Sequence, residues 1–113
     1  MTSEASQFLL TTGWLFLRHG QRHRAKHIFA ALVEANARDG VAVAALAELL
    51  LDEGESLRVL DMLKMADFPA ELTHAEAILE VRALRMSGRT RESAARWRRY
   101  LEMRKGAQRK WIA

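Results

Sequence analysis

Three histidines, His19, His23 and His27, recur at intervals of four residues. Two imidazoles four apart on one helix can hold a divalent metal. Here the pattern does not close into a site. Gly20 interrupts any helix directly after His19, and no glutamate completes an H-E-x-x-H arrangement. His23 and His27 also lie off the apolar stripe of their segment, so both are expected at the surface. The carboxylates of Asp52-Glu53-Gly54-Glu55 are a second candidate. General acid–base chemistry needs a partner base within reach, and this run sits at a glycine turn without one. No G-x-S-x-G, P-loop or G-x-G-x-x-G sequence is present, and cysteine is absent. These residues predict no enzyme, no metal and no cofactor. The lack of thiols also excludes a disulfide scaffold and suits a cytosolic protein.

A third constellation is electrostatic. Residues 82–113 hold eleven Lys/Arg against two Asp/Glu, a net of +9, whereas residues 1–81 hold seven against twelve, a net of −5. Trp97, Tyr100 and Trp111 are interleaved with Arg96, Arg98, Arg99, Arg104, Lys105, Arg109 and Lys110. Aromatic rings among cations could grip a nucleic-acid backbone. Yet Trp97 and Tyr100 fall on the core stripe of their helix, and no helix-turn-helix pattern accompanies them. A solvated face, or a patch for an acidic protein partner, is the expected role. No nucleic acid is expected, and salt-sensitive binding to an unrelated duplex would reverse that reading.

The elements that position these residues read as helices. Alanine, leucine, arginine and glutamate dominate, and Pro69 is the single proline. Six helices are predicted: about Ser6–Arg18, Arg22–Asn36, Val41–Asp52, Ser56 to before Phe68, Thr73–Met86 and Thr90 to Gly106. The first is apolar nearly all round (Phe8, Leu9, Trp14, Leu15, Phe16, Leu17), which predicts cover on both faces. Ser56 and Thr90 are expected N-caps, and Thr73-His74-Ala75-Glu76 has the form of a capping box. Phe68-Pro69 should stop the fourth helix. No apolar run approaches the length of a membrane span, and the first residues lack the basic region of a signal peptide. No membrane insertion is expected.

Gly20, Gly54 and Gly88 stand thirty-four residues apart. That is the period of the tetratricopeptide repeat (TPR), a helical hairpin that stacks into a solenoid. In register, Phe16, Leu50 and Leu84 precede the glycines by four; Gly13, Ala47 and Val81 by seven. Ala25, Val59 and Ser93 follow by five, and Phe29, Leu63 and Trp97 by nine. The pattern predicts an all-α fold of three TPR-like hairpins stacked as a short right-handed solenoid. It would form one domain over residues 1–113, with repeats at about 6–39, 40–73 and 74–107 and a short tail at 108–113. Phe16 and Phe29 should meet inside the first hairpin.

The inner surface of such a solenoid is lined by the first helix of each hairpin. Projected on this chain, the partner-binding residues are Gln7, Leu10, Trp14, Leu17 and Arg18, then Val41, Ala44, Glu48 and Leu51, then Ala75, Ile78, Arg82, Arg85 and Met86. Arg82 and Arg85 should make the far end positive. Three repeats leave open ends, and a permanent partner that covers them is expected. An amphipathic helix in the groove is the expected mode.

The stretch Phe8-Leu9-Leu10-Thr11-Thr12-Gly13-Trp14-Leu15-Phe16-Leu17-Arg18-His19-Gly20 resembles the opening of the small YscY-type chaperones of bacterial type III secretion. Arg24-Ala25-Lys26 and Ala94-Ala95-Arg96-Trp97-Arg98-Arg99-Tyr100-Leu101-Glu102 suit the same family, while residues 36–80 match only as generic TPR. The resemblance implies a cytoplasmic bacterial protein that forms a heterodimer with a small secreted (YscX-like) protein. As a pair they would engage the export-gate protein, before or during the switch to export of early substrates. Related TPR chaperones hold translocators or the needle subunit; the short chain ranks this one with the first group. A generic TPR adaptor or homodimeric repeat module is the alternative.

Overall fold

The computed structural model describes residues 2–112; Met1 and Ala113, the ends of the expected domain and tail, lie outside the described residues. The fold is all-α, as expected. Among the described residues it comprises α1 (Ser3–Arg18), α2 (Arg22–Ala35), α3 (Gly40–Asp52), α4 (Ser56–Met65), α5 (Thr73–Met86) and α6 (Thr90–Ile112), with a 3-10 turn at Ala70–Leu72.

Three short turns join the helices in pairs, and all three are built alike. Gly20, Gly54 and Gly88 have φ of 75°, 81° and 81°, a region that side chains with a Cβ enter only at a cost. The amide after each glycine donates back into the preceding helix: Gln21 to the Phe16 carbonyl, Glu55 to that of Leu50, Arg89 to that of Leu84, at 2.8, 2.9 and 2.9 Å. This is the Schellman motif, which satisfies carbonyls that a helix end leaves open. Phe16, Leu50 and Leu84 thus supply the same backbone acceptor, and their side chains pack in or on the core.

The pairs are linked by longer connections that meet each other. The Asp67 amide donates to the Arg38 carbonyl at 2.8 Å, and the Arg38 guanidinium pairs with the Asp67 carboxylate at 2.8 Å. A Cβ on Gly40 would lie 2.4 Å from the Asp67 carbonyl oxygen, so only glycine admits this approach. Next to it, the Asp39 carboxylate accepts from the Ala42 amide at 3.2 Å and caps α3.

The core is centred on α3, which packs against α2, α4 and α5. Nine of its thirteen residues are buried. In the first pair, a Cβ on Gly13 would lie 2.5 Å from the Phe29 ring, so glycine lets the wholly buried Phe29 reach the α1 backbone. The ring beside it is Trp14, edge-on at 5.4 Å. Phe16, expected to meet Phe29, makes no ring pair with it; it is half-buried, packs on the cluster that contains Phe29 and lies beneath the Arg24 guanidinium.

Four further expectations are corrected. Helix α1 is not covered all round: Gly13 alone is buried, and Phe8, Leu15 and Trp14 remain 70, 49 and 43% exposed. Ser56 and Thr90 are the first helical residues rather than the caps, and the Ser56 hydroxyl accepts from Ser87 at 3.2 Å. Thr73 and Glu76 form no capping box, because the 3-10 turn already leads the backbone into α5; the Thr73 hydroxyl instead donates to the Ala70 carbonyl at 2.8 Å. Gly106 does not end α6, which continues through most of the expected tail to Ile112.

Candidate functional site

The residues projected onto the inner surface divide among three concavities. The first lies between the leading helices of the pairs. Trp14 of α1, Val41, Ala44 and Glu48 of α3, and Ala75 of α5 line about 210 Å³ together with Ala45, Leu72 and Leu79. Its wall is almost entirely apolar. Small residues at 44, 45 and 75 open the space, and the Trp14 ring is held in place by its contact with Phe29. Gln7, Leu10 and Val41 share a second, more polar hollow of about 390 Å³ with Ser3, Ser6, Asn36 and Asp39. Ile78, Arg82 and Arg85 line a third, of about 450 Å³, between α5 and α6.

The remaining projected residues lie elsewhere. Leu51 is 1% exposed and is withdrawn from the surface: with α2, α4 and α5 packed around α3, a partner cannot reach it. Leu17 is half-buried and packs on the core. Arg18 is exposed at the end of α1, and Met86 is 51% exposed at the end of α5.

The electrostatics of the groove differ from expectation. Arg82 is not a free cation. It donates to both oxygens of Glu48, at 3.1 and 2.9 Å, and lies 3.8 Å from Asp52. Asp52 also pairs with Arg22, and Glu53 pairs with Lys26 at 2.7 Å. The carboxylates read from sequence as a solvated turn thus tie α3 to α2 on one side and α5 on the other. Each pair is partly exposed and worth at most about 1 kcal/mol, but together they fix the relative register of three helices. Arg85 has no acidic partner within 4 Å among the described residues.

No family model matches the chain, and neither the curated proteins nor the solved structures offer a match. The functional reading therefore rests on the surface itself and on the sequence that builds it.

The other chemistry-bearing residues complete the picture. His23 and His27 are exposed with ring centroids 4.5 Å apart, and His19 follows the end of α1. Among the described residues, no three His, Cys, Asp or Glu side chains are grouped to hold a metal ion. Among them, too, no helix is long and apolar enough to cross a membrane. In the basic third, Tyr100 is buried and its hydroxyl lies 2.9 Å from His74 Nδ1, with Trp97 packed alongside at 5.3 Å. These two rings hold α6 to α5. Arg96 and Arg99 converge on Glu80. Beside them burial holds the Glu76 carboxyl above the usual carboxylate range; Arg96 and Arg99 pull it down and Glu80 pushes it up. Neither the His74–Tyr100 contact nor the Arg96–Glu80 pair carries a sequence signal, because the hairpin alone brings them together.

Proposed function

We propose that this protein is a cytoplasmic bacterial type III secretion chaperone built as three TPR-like hairpins in a short right-handed solenoid. It binds a helical segment of a small secreted protein and, as a pair with it, engages the export-gate protein. The observation that carries the reading is the apolar concavity between leading helices, walled by Trp14, Val41, Ala44 and Ala75. A solenoid uses that inner face for peptide recognition. Three equal Schellman turns at one period support the repeat architecture, and the close approach of Phe29 to Gly13 supplies its small-against-large packing. The likeness of residues 8–20 to YscY-type chaperones supports the secretion role.

The groove suits an amphipathic helix. Its apolar anchors would bury against Trp14 and Val41, and the Glu48–Arg82 pair offers a polar contact at one side. The experiment is co-expression with the small secreted protein of a type III system, followed by size-exclusion chromatography. Ala44→Arg, which fills the groove, should abolish the complex. Leu57→Arg, at a residue 62% exposed on α4, should leave it intact. A complex that survives both changes would refute the groove as the cargo site.

A further inference from the structure

We infer that the face between α5 and α6 receives a helix of a partner protein that carries acidic residues, seated as α5 is seated on α3 and α4. This rests on the repeat stacking proposed above. The equivalence follows from the period. Arg85, Ala94 and Trp97 stand thirty-four residues after Leu51, Leu60 and Leu63. On the second hairpin those three leucines are 1, 8 and 8% exposed, and α5 packs against both helices that carry them. On the third hairpin Arg85 and Ala94 are exposed, Trp97 is half-buried, and the space is an open trough of about 450 Å³. The same docking surface is covered by α5 on the second hairpin, faces α3 on the first, and is empty on the third among the described residues.

Charge selects the occupant. At the filled joint, Glu48 of α3 meets Arg82 of α5, and these two also stand one period apart. Opposite charges thus face each other from the same position of α3 and α5, where α1 has Trp14. A helix seated in the trough meets Arg85, which has no acidic partner within 4 Å among the described residues, and a carboxylate on that helix would satisfy it. The surroundings agree, since residues 82–113 carry a net of +9. A second copy of this chain fits poorly, because its leading helix α1 offers Glu4 as its one carboxylate, against Arg18. A nucleic-acid backbone has no apolar face for the trough floor, where Ile78 and Trp97 need cover.

The test uses two fluorescein-labelled amphipathic peptides of equal length, with leucine at helical spacing and either glutamate or lysine elsewhere. Anisotropy is read against the full chain. The glutamate peptide should bind saturably and the lysine peptide should not. Arg85→Glu should weaken binding roughly tenfold or more, as loss of a partly desolvated charge pair does. Ala94→Arg should abolish it, with helicity unchanged by circular dichroism. Equal binding of both peptides, no binding, or displacement of the peptide by a DNA duplex would overturn the inference. Loss through Ala44→Arg instead of Ala94→Arg would also overturn it, while leaving the groove reading intact. Peptide binding with the stated sensitivities, in a chain that forms no complex with a secreted protein, would uphold this site and refute the chaperone role.

Discussion

Helices α3 and α1 are both rich in apolar residues, yet nine of the thirteen residues of α3 are buried and α1 buries Gly13 alone. The difference lies in their neighbours. Helix α3 is packed by α2, α4 and α5, whereas α1 packs chiefly on α2. In a stacked array each unit is covered only by the next, so an end unit keeps the surface that a middle unit spends on the core. The exposed side chains of Phe8, Trp14 and Leu15 are that surface. On the function proposed above, this is the surface a partner would cover.

The contrast can be broken most forcefully with matched aromatic truncations. Phe29→Ala should cost about 3–5 kcal/mol in thermal or urea unfolding, since the ring is wholly buried and supports Trp14. Phe8→Ala should cost less than about 0.5 kcal/mol. Comparable losses would mean that α1 is covered after all. Gly13→Ala comes next, at about 1–3 kcal/mol, because the new methyl would overlap the Phe29 ring. A smaller pair of changes separates the two kinds of glycine. Gly54→Ala, at positive φ, should cost about 1–2 kcal/mol. Gly106→Ala, inside α6 with open space around it, should stabilise by about 0.5–1 kcal/mol.

The smallest expected effect is electrostatic. The Glu76 carboxyl is held above its usual range in the folded protein, mainly by burial. The folded state then binds the proton more tightly than the unfolded state, so stability falls as pH rises through the carboxylate range. Glu76→Gln cannot titrate. Its melting temperature should match the parent in acid, below that range, and exceed it slightly at neutral pH. A variant less stable than the parent at neutral pH would contradict the assignment.

Legibility in the sequence tracked the specificity of the local chemistry. The three turns were readable because a Schellman end at positive φ favours one residue type. The class of fold was readable from helical periodicity. Gly106 misled because glycine weakens a helix interior without forbidding it. Leu51 misled because periodicity gives the angle of a side chain but not the number of helices that surround it. Trp14 and Phe16 are two residues apart on α1, and periodicity alone does not say which ring stands edge-on to Phe29. The Glu48–Arg82 pair was visible as two charges one repeat apart, but its meaning needed the stacking.

Hydrogen–deuterium exchange, read helix by helix on the free chain and again after addition of the proposed partner, the small secreted protein of a type III system, tests the central claim most directly. In the free chain α3 and α4 should exchange slowest and α1 much faster, because exposed, singly packed helices open locally. In the complex α1 should gain strong protection while α3 and α4 change little. An α1 already as slow as α3 in the free chain, or equally fast in both states, would contradict the account.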